Sequence, residues 1–493
     1  MDRLSALDAA FLDIEDGVSH MHIGSMARFE GPVPQFSALV DLVERKLPRL
    51  HRYRQRVRFV PGDIARPVWV DDPHFNLRYH IRHTALPSPG LPADVRNLMG
   101  RLMSQPLDRQ RPLWEAWVVE GFDDGTWAII SKVHHCMVDG ISGTDLMAVL
   151  LDDEPDATLP PRKAWEPAPE PSNAELLRGA FVAVTVNPLK KAWAAGCLLR
   201  EPRRLGEMAK NTATGLSSFG RHLTSTRPLS IEGAIGPHRA WDQTSVALED
   251  VKHIRSALGG TINDVLLSLA AAGFRELLLA RGDELENTTL HTLVPVSLRD
   301  SDDHSPNNQV TAIIAELPVG LSDPNERFDA IKAQMSELKS SQQAQAGALL
   351  TSALDDLAPP MLLAAALRGG TALLRRLPQY RVNTVTTNVP GPRHALYALG
   401  RELVEYLPFV PISQGVRVGV AMLSYNGRVA FGITGDWDSV PDLDPMINGI
   451  DEEMRRLLRL SATQGPETQG SPGLNITSVY DRAPETKTSN KVD

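Results

Sequence analysis

The chain has 493 residues, 42% hydrophobic and 23% charged, with a formal net charge of −9. That length outgrows a single hydrophobic core, so two or three domains are expected, and the acidic balance argues against a nucleic-acid partner, which needs a basic surface. Cys136 and Cys197 offer no disulfide framework, and neither a signal peptide nor an uninterrupted apolar window of about 18 residues is visible.

In chain order, Leu4–Leu12 reads as a short helix with Ser5 and Asp8 at capping-box spacing. His20–Phe29 reads as a strand, and residues 36–50 as an amphipathic helix with Leu39, Val40, Leu42, Val43 and Leu47 on one face. Strands are expected at Pro67–Val70 and Phe75–His80, then a helix at Leu98–Ser104. Ala116–Glu120, the turn Asp123-Asp124-Gly125 and Thr126–His135 form a hairpin. Prolines 155, 160, 161, 167, 169 and 171 mark an extended linker. A helical crossover follows over 174–228, and a second domain opens near Trp241. That domain should hold a helix over Asn263–Ala280, stopped by Gly282, with Asn263-Asp264 read by default as its N-cap. Further helices are expected at Asn325–Ser341, Pro360–Leu377 and Asp444–Leu460, and strands at His291–Ser297, Val310–Leu317, Val382–Asn388, Val416–Ser424 and Arg428–Thr434. The tail after Ser461 has the composition of a disordered segment. The expected division is 1–152, 153–238 for linker and crossover, 239–461, and 462–493 for the tail.

The hairpin delivers His134-His135-Cys136-Met137-Val138-Asp139-Gly140 to the end of a strand, and Ser142 with Asp145 has the spacing that opens a helix. Strand side chains alternate faces, so, if the strand runs that far, His135 lies with Val133, Ser131 and Ile129, and His134 with Lys132 and Ile130. Two structural histidines are one reading. A metal site is another, weakened because adjacent residues on opposite strand faces cannot chelate one ion; no metal is expected. The third is a general base, His135, with Asp139 holding the turn around it.

HHxxxDG resembles the active-site motif of acyltransferases built like chloramphenicol acetyltransferase and the peptide-synthetase condensation domains. Taken with Leu4-Ser5-Ala6-Leu7-Asp8, Met21-His22-Ile23-Gly24 and Pro106-Leu107-Asp108-Arg109-Gln110-Arg111-Pro112-Leu113-Trp114, it resembles the bacterial wax ester synthase/diacylglycerol acyltransferase family. The runs at Gly259–Val265, Pro295–Arg299 and Asn388–Pro392 look like that family's later landmarks; Asn307-Asn308-Gln309 departs from it, lacking a glycine before Asn-Gln. The similarity spans roughly residues 4–460.

The resemblance implies an α/β fold of mixed sheets, with two chloramphenicol acetyltransferase-like domains and the active site in a channel between them. It implies acyl-CoA as substrate, diacylglycerol or a fatty alcohol as acceptor, and no cofactor. His135 would be the base, His134 a supporting residue, and Asp139 with Gly140 the loop that orients it. Arg299 is the candidate structural partner of Asp139, with a plain surface arginine the alternative. Asn263, Asp264 and Asn388 are candidate substrate-binding residues, and the Asn263 and Asn388 turn regions candidate oxyanion donors. Pro112-Leu113-Trp114 either packs the core or shapes the acyl or alcohol site. The Pro390-Gly391-Pro392 run is a rigid turn before it is anything else. Rival readings are a non-catalytic lipid-binding or lipid-droplet protein, and an acyltransferase acting on a polyketide or sugar.

A hydroxyl of pKa about 15.7 lies roughly nine units above a histidine near 6.5, so deprotonating it beforehand would cost about 12 kcal/mol. The proton must therefore move to the base as the carbon–oxygen bond forms. The thiolate leaves readily, so no acyl-enzyme is needed, and Cys136 is not expected to be a nucleophile. Insoluble substrates call for contact with lipid: a cytoplasmic protein peripherally bound to the inner face of the membrane or to lipid inclusions. Leu189–Arg204 and the helix around Met361–Arg376, with Arg368, Arg375 and Arg376, are the candidate surfaces, although the second helix, interrupted by Gly369-Gly370, could equally pack on a sheet.

Overall fold

The computed structural model describes residues 2–137, 146–182, 228–297, 310–340 and 382–464. Asp139, Gly140, the Ser142–Asp145 pair, Arg299, Cys197, Asn307–Gln309, both candidate lipid-facing segments and the tail beyond 464 lie outside the described residues.

Two six-stranded mixed sheets organise the chain. The first runs β13 (Tyr397–Ala398), β14 (Arg401–Phe409), β2 (His22–Phe29), β7 (Trp127–His134), β6 (Trp114–Glu120) and β5 (Ile81–Ala85). The second runs β11 (Val310–Leu317), β10 (Leu290–Ser297), β12 (Thr384–Pro390), β16 (Val418–Tyr425), β17 (Arg428–Asp436) and β9 (Arg239–Ala247). A smaller sheet joins β1 (Asp2–Arg3), β4 (Val68–Asp71) and β3 (Gln55–Arg58), and a two-stranded one β8 (Glu232–Gly233) and β15 (Gly415–Val416).

β14 is the topological surprise. It comes from the C-terminal half, yet pairs antiparallel with β2 from Leu403 opposite Phe29 to Phe409 opposite Gly24. The first sheet therefore draws on residues far beyond 152. Trp241 on β9 closes the seam between the halves, its indole donating to the Pro408 carbonyl at 3.2 Å. It shares a buried cluster with Met26, Met103, Ile130 and Phe409.

The other face of the first sheet packs Phe29, Trp127, Ile129 and Val133 against α1 (Ala6–Ile14), α2 (Phe36–Lys46) and α5 (Leu146–Leu150). The second sheet lies on α6 (Leu248–Leu258), α7 (Ile262–Ala280), α8 (Pro324–Ser340) and α9 (Asp444–Gln464) through an apolar core of Leu266, Leu269, Phe274, Val420 and Phe431.

Several local expectations change, each for a visible reason. Ser5 does cap α1, accepting the Asp8 N–H at 3.0 Å. Phe75–His80 is not a strand: Asn76 accepts the Arg78 N–H at 3.0 Å and starts a short helix, α3 (Leu77–His80), before β5. The helix expected from Leu98 begins at Pro92 as α4 (Pro92–Met103), with proline in its first turn and the Asp94 carboxylate accepting the Leu91 N–H at 2.9 Å. In α7 the N-cap is Thr261, not Asn263-Asp264. Asp264 is the third helical residue and closes a capping box, its carboxylate accepting the Thr261 N–H at 2.7 Å. The helix stops as expected at Gly282, whose φ of +81° glycine tolerates. Gly391 is likewise structural, since a Cβ there would sit 2.1 Å from the Ser424 carbonyl oxygen.

Candidate active site at the end of strand β7

β7 ends at His134, and His135–Met137 turn into a single 3-10 turn. The alternation of faces thus holds along β7 but does not extend to His135. Three backbone contacts fix the junction. The His134 N–H donates to the Leu113 carbonyl at 2.9 Å, and the His135 N–H to the Met21 carbonyl at 2.8 Å. The Cys136 N–H donates to His134 Nδ1 at 3.2 Å.

Helix α1 forms the platform beneath this turn. Phe11 stacks on the His135 ring with centroids 4.0 Å apart and planes at 23°. Glu15, at the C-cap of α1, places Oε2 3.6 Å from His134 Nε2. Arg109, from the Pro106–Trp114 run, grips Glu15 through Nε at 2.9 Å and also through Nη2. The same Nη2 donates to the Leu12 carbonyl at 2.9 Å.

On the face shared by His134 and Lys132, β2 adds more buried imidazoles. His22, opposite His134 in the ladder, hydrogen-bonds the Met103 carbonyl through Nε2 at 2.9 Å. Lys132 is fully buried and donates to the carbonyls of Leu102 at 3.0 Å and Gln105 at 2.9 Å, with Glu115 at 3.5 Å. Gly24 permits this approach of α4, since a Cβ there would lie 2.3 Å from the Met103 methyl.

The electrostatics follow from burial and neighbours. Burial lowers the His135 pKa to about 4; its own main-chain carbonyl pulls the value partly back and His134 pushes it down further. The ring is therefore neutral near pH 7, the form a base requires. Burial, with Lys132 and His20 adding, drives His22 well below its ordinary value. At Glu15 burial opposes ionisation, but the nearby His134 imidazole and the Arg109 guanidinium outweigh it and hold the carboxyl at about 2. Among the described residues, buried side-chain atoms without a hydrogen-bond partner include one ring nitrogen each of His20, His22, His134 and His135. Unspent donors and acceptors are costly in a core, so their gathering here marks a place built to meet polar groups.

The other sequence candidates divide. Pro112, Leu113 and Trp114 are buried; the Trp114 indole donates to the Tyr53 carbonyl at 2.9 Å and its ring stacks on His80 at 4.7 Å. Asn263 and Asn388, 125 residues apart, come together in the second half, Asn388 Nδ2 donating to Asn263 Oδ1 at 3.4 Å. Asp264 serves the helix cap, and its second carboxylate oxygen is buried without a partner. A cavity of about 550 Å³ opens between α4 and the start of β9, lined by Arg96, Arg101, Ser104, Gln105, Arg239 and Trp241 among others. Neither His134 nor His135 lines it; it borders their cluster through Ser104, Gln105 and Arg239. Among the described residues no three His, Cys, Asp or Glu side chains gather as a metal site would require.

Two mixed sheets sharing an exchanged strand place the chain in the chloramphenicol acetyltransferase-like fold class. The first condensation domain of the CDA synthetase has that fold, with a TM-score of 0.54 at 15% identity over 94% of this chain and 96% of that one. A closer likeness is the wax ester synthase/diacylglycerol acyltransferase from Marinobacter aquaeolei VT8, with a TM-score of 0.66 at 25% identity over 93% of this chain and 100% of that one. Residues 4–266 match the wax ester synthase/diacylglycerol acyltransferase catalytic domain, and residues 307–458 the C-terminal domain of the same family. A probable diacylglycerol O-acyltransferase of Mycobacterium tuberculosis and a putative one of Mycobacterium bovis are each 36% identical over 94% of this chain and 96% of their own. The chain belongs to the wax ester synthase/diacylglycerol acyltransferase family, and is an acyltransferase.

Proposed function

We propose that this acyltransferase moves a fatty acyl group from acyl-CoA to the hydroxyl of diacylglycerol, a long-chain alcohol, or both, with His135 as general base and no cofactor. The observation that carries the reading is the His135 imidazole: it is neutral near pH 7, braced by Phe11, and keeps a ring nitrogen unspent at the end of β7. The acceptor O–H gives its proton to that ring as oxygen attacks the thioester carbonyl. The C–S bond breaks as the tetrahedral intermediate collapses, and the proton passes to the departing thiolate. Asn263 and Asn388 are candidate amide donors for the oxyanion, and their mutual contact supports a common task. Names of the mycobacterial relatives favour diacylglycerol as acceptor, and the Marinobacter structure keeps the alcohol in view.

We also place the enzyme at a membrane or lipid-inclusion surface on the cytoplasmic side. Water-insoluble acceptors support that reading. Among the described residues no single helix is long and apolar enough to cross a bilayer. The decisive experiment offers the purified protein labelled acyl-CoA with hexadecanol, diacylglycerol and trehalose in parallel. Ester should form on the first two, and His135→Ala should cut kcat by about 10²- to 10⁴-fold while the protein stays folded. Full turnover in His135→Ala would remove the base assignment, and ester on trehalose alone would remove the acceptor assignment.

A further inference from the structure

His134 is wholly buried, and its two ring nitrogens face different partners. Nδ1 accepts the N–H of Cys136, the middle residue of the turn that His135 begins. A nitrogen that accepts carries no proton, so the neutral ring bears its hydrogen on Nε2. Nε2 faces Glu15 Oε2 at 3.6 Å, too long for a formed hydrogen bond but near enough for the carboxylate to favour a proton on that side.

Glu15 occupies an awkward place. A carboxylate at a helix C-terminus opposes the helix dipole, and the last turn of α1 has no basic residue of its own to offset it. The compensation comes from a residue 94 positions away, Arg109, which holds Glu15 and satisfies the Leu12 carbonyl of the same helix end. The pair leaves Glu15 only 9% exposed at its side chain.

We propose that Glu15, held by Arg109, is a positioning residue that fixes His134 in its Nε2–H tautomer, so that His134 Nδ1 caps the turn presenting His135. The inference rests on the reading of His135 as base. In the opposite tautomer an Nδ1–H would meet the Cys136 N–H donor to donor, and the turn would lose its cap. Neither Glu15 nor His134 exchanges a proton with substrate.

The test compares Glu15→Gln with Glu15→Asp in the full chain, using ¹⁵N-histidine labelling to read the His134 tautomer, assigned by the signal that His134→Asn removes. In the unaltered enzyme the shifts should report an Nε2–H ring. Glu15→Gln, whose amide can donate to Nε2, should move them toward Nδ1–H. It should also lower kcat by about 10- to 100-fold, the scale seen for partners that orient a functional group from behind, with KM for acyl-CoA unchanged. Glu15→Asp, keeping the charge, should recover most of both. Should Glu15→Gln fold poorly, Arg109→Gln carries the same test with a smaller shift of the same sign. An unchanged His134 signature in these variants overturns the inference, as does a kcat loss that merely tracks the unfolded fraction. Failure of the base reading would be distinct: His135→Ala would stay active while the tautomer measurement still gave its own answer.

Discussion

Around the second sheet a large apolar core also encloses buried polar groups, among them Asp264, Arg327, Thr434 and Glu453. One charged pair there is matched on both sides: Arg327 and Glu453, 2% and 1% exposed, form a two-pronged pair at 3.0 and 2.7 Å, with Ser268 adding a third contact. Around the end of β7 in the first sheet, His22, Lys132 and His134 are just as buried and His20 and Glu15 nearly so, yet the imidazoles there retain unpaired nitrogens. Two sheets of the same size and mixed character thus carry two different polar groupings, a matched ion pair and an unmatched histidine cluster. The Arg327–Glu453 pair is satisfied on both sides and gains rigidity. The histidine cluster leaves hydrogen-bonding capacity unspent, and burial pushes His20, His22 and His135 toward the neutral form, which a scaffold does not need and a base does.

If that contrast is right, breaking the matched pair should cost stability and breaking the unmatched cluster should cost rate. Glu453→Ala leaves Arg327 buried and unpaired and should destabilise the fold by about 3–5 kcal/mol in denaturant melts. The kcat per folded molecule should barely move; a specific loss of turnover at unchanged stability would erase the distinction between the sheets.

Within the cluster the two adjacent histidines should separate. His135→Ala removes the proposed base, whereas His134→Ala removes only the cap of its turn, so the rate loss at His134 should be the smaller of the two. Equal losses, with folding intact by circular dichroism, would mean that both rings touch the reaction.

The pH dependence sharpens the same point. Burial takes His135 from an ordinary 6.5 to about 4, so between those values the unfolded chain binds the proton and the folded one does not. Its stabilising contribution is complete above about pH 6.5 and is lost as pH falls toward 4. His80, lowered to about 4 by burial against the pull of the Trp114 carbonyl and nearby carboxylates, acts in the same window and direction. Activity should behave differently: kcat/KM on a short, soluble alcohol reports the free enzyme's base, so its acid limb should lie near pH 4. A limb near 6.5 would place His135 in open water.

Much of this arrangement was legible from residues alone, because local pattern carried it. The β6–β7 hairpin, the Ser5 cap and the stop at Gly282 each rest on a few neighbouring side chains. What stayed hidden was long-range. Arg401–Phe409 gives no local sign that it will pair with β2, more than 370 residues earlier, and its Pro408 blurs the strand pattern. Phe11 and Arg109 lie within helix and motif segments and Glu15 just beyond one, but nothing in spacing connects them to His134 and His135. The one available hint was electrostatic, a glutamate at the end of an acidic helix that needs a cation from elsewhere.

The smallest effect is expected at Cys136, although it adjoins the proposed base and the proposed donor is a thioester. Strand alternation would point its side chain away from His135, but the chain has already left the strand there. Burial gives the better reason. The side chain is 4% exposed in the cluster of Val133, Met137 and Leu146. Burial, reinforced by Asp8 and Glu15, raises its pKa well above that of an ordinary thiol. A nucleophile must be the thiolate, and this environment suppresses it. Cys136→Ala should therefore cost about 1 kcal/mol of packing and leave kcat close to that of the unaltered enzyme. Intact-mass spectrometry after incubation with acyl-CoA alone should show no added acyl group. A stoichiometric adduct that disappears in Cys136→Ala would instead establish a two-step transfer through sulfur, and direct attack by the acceptor would have to be abandoned.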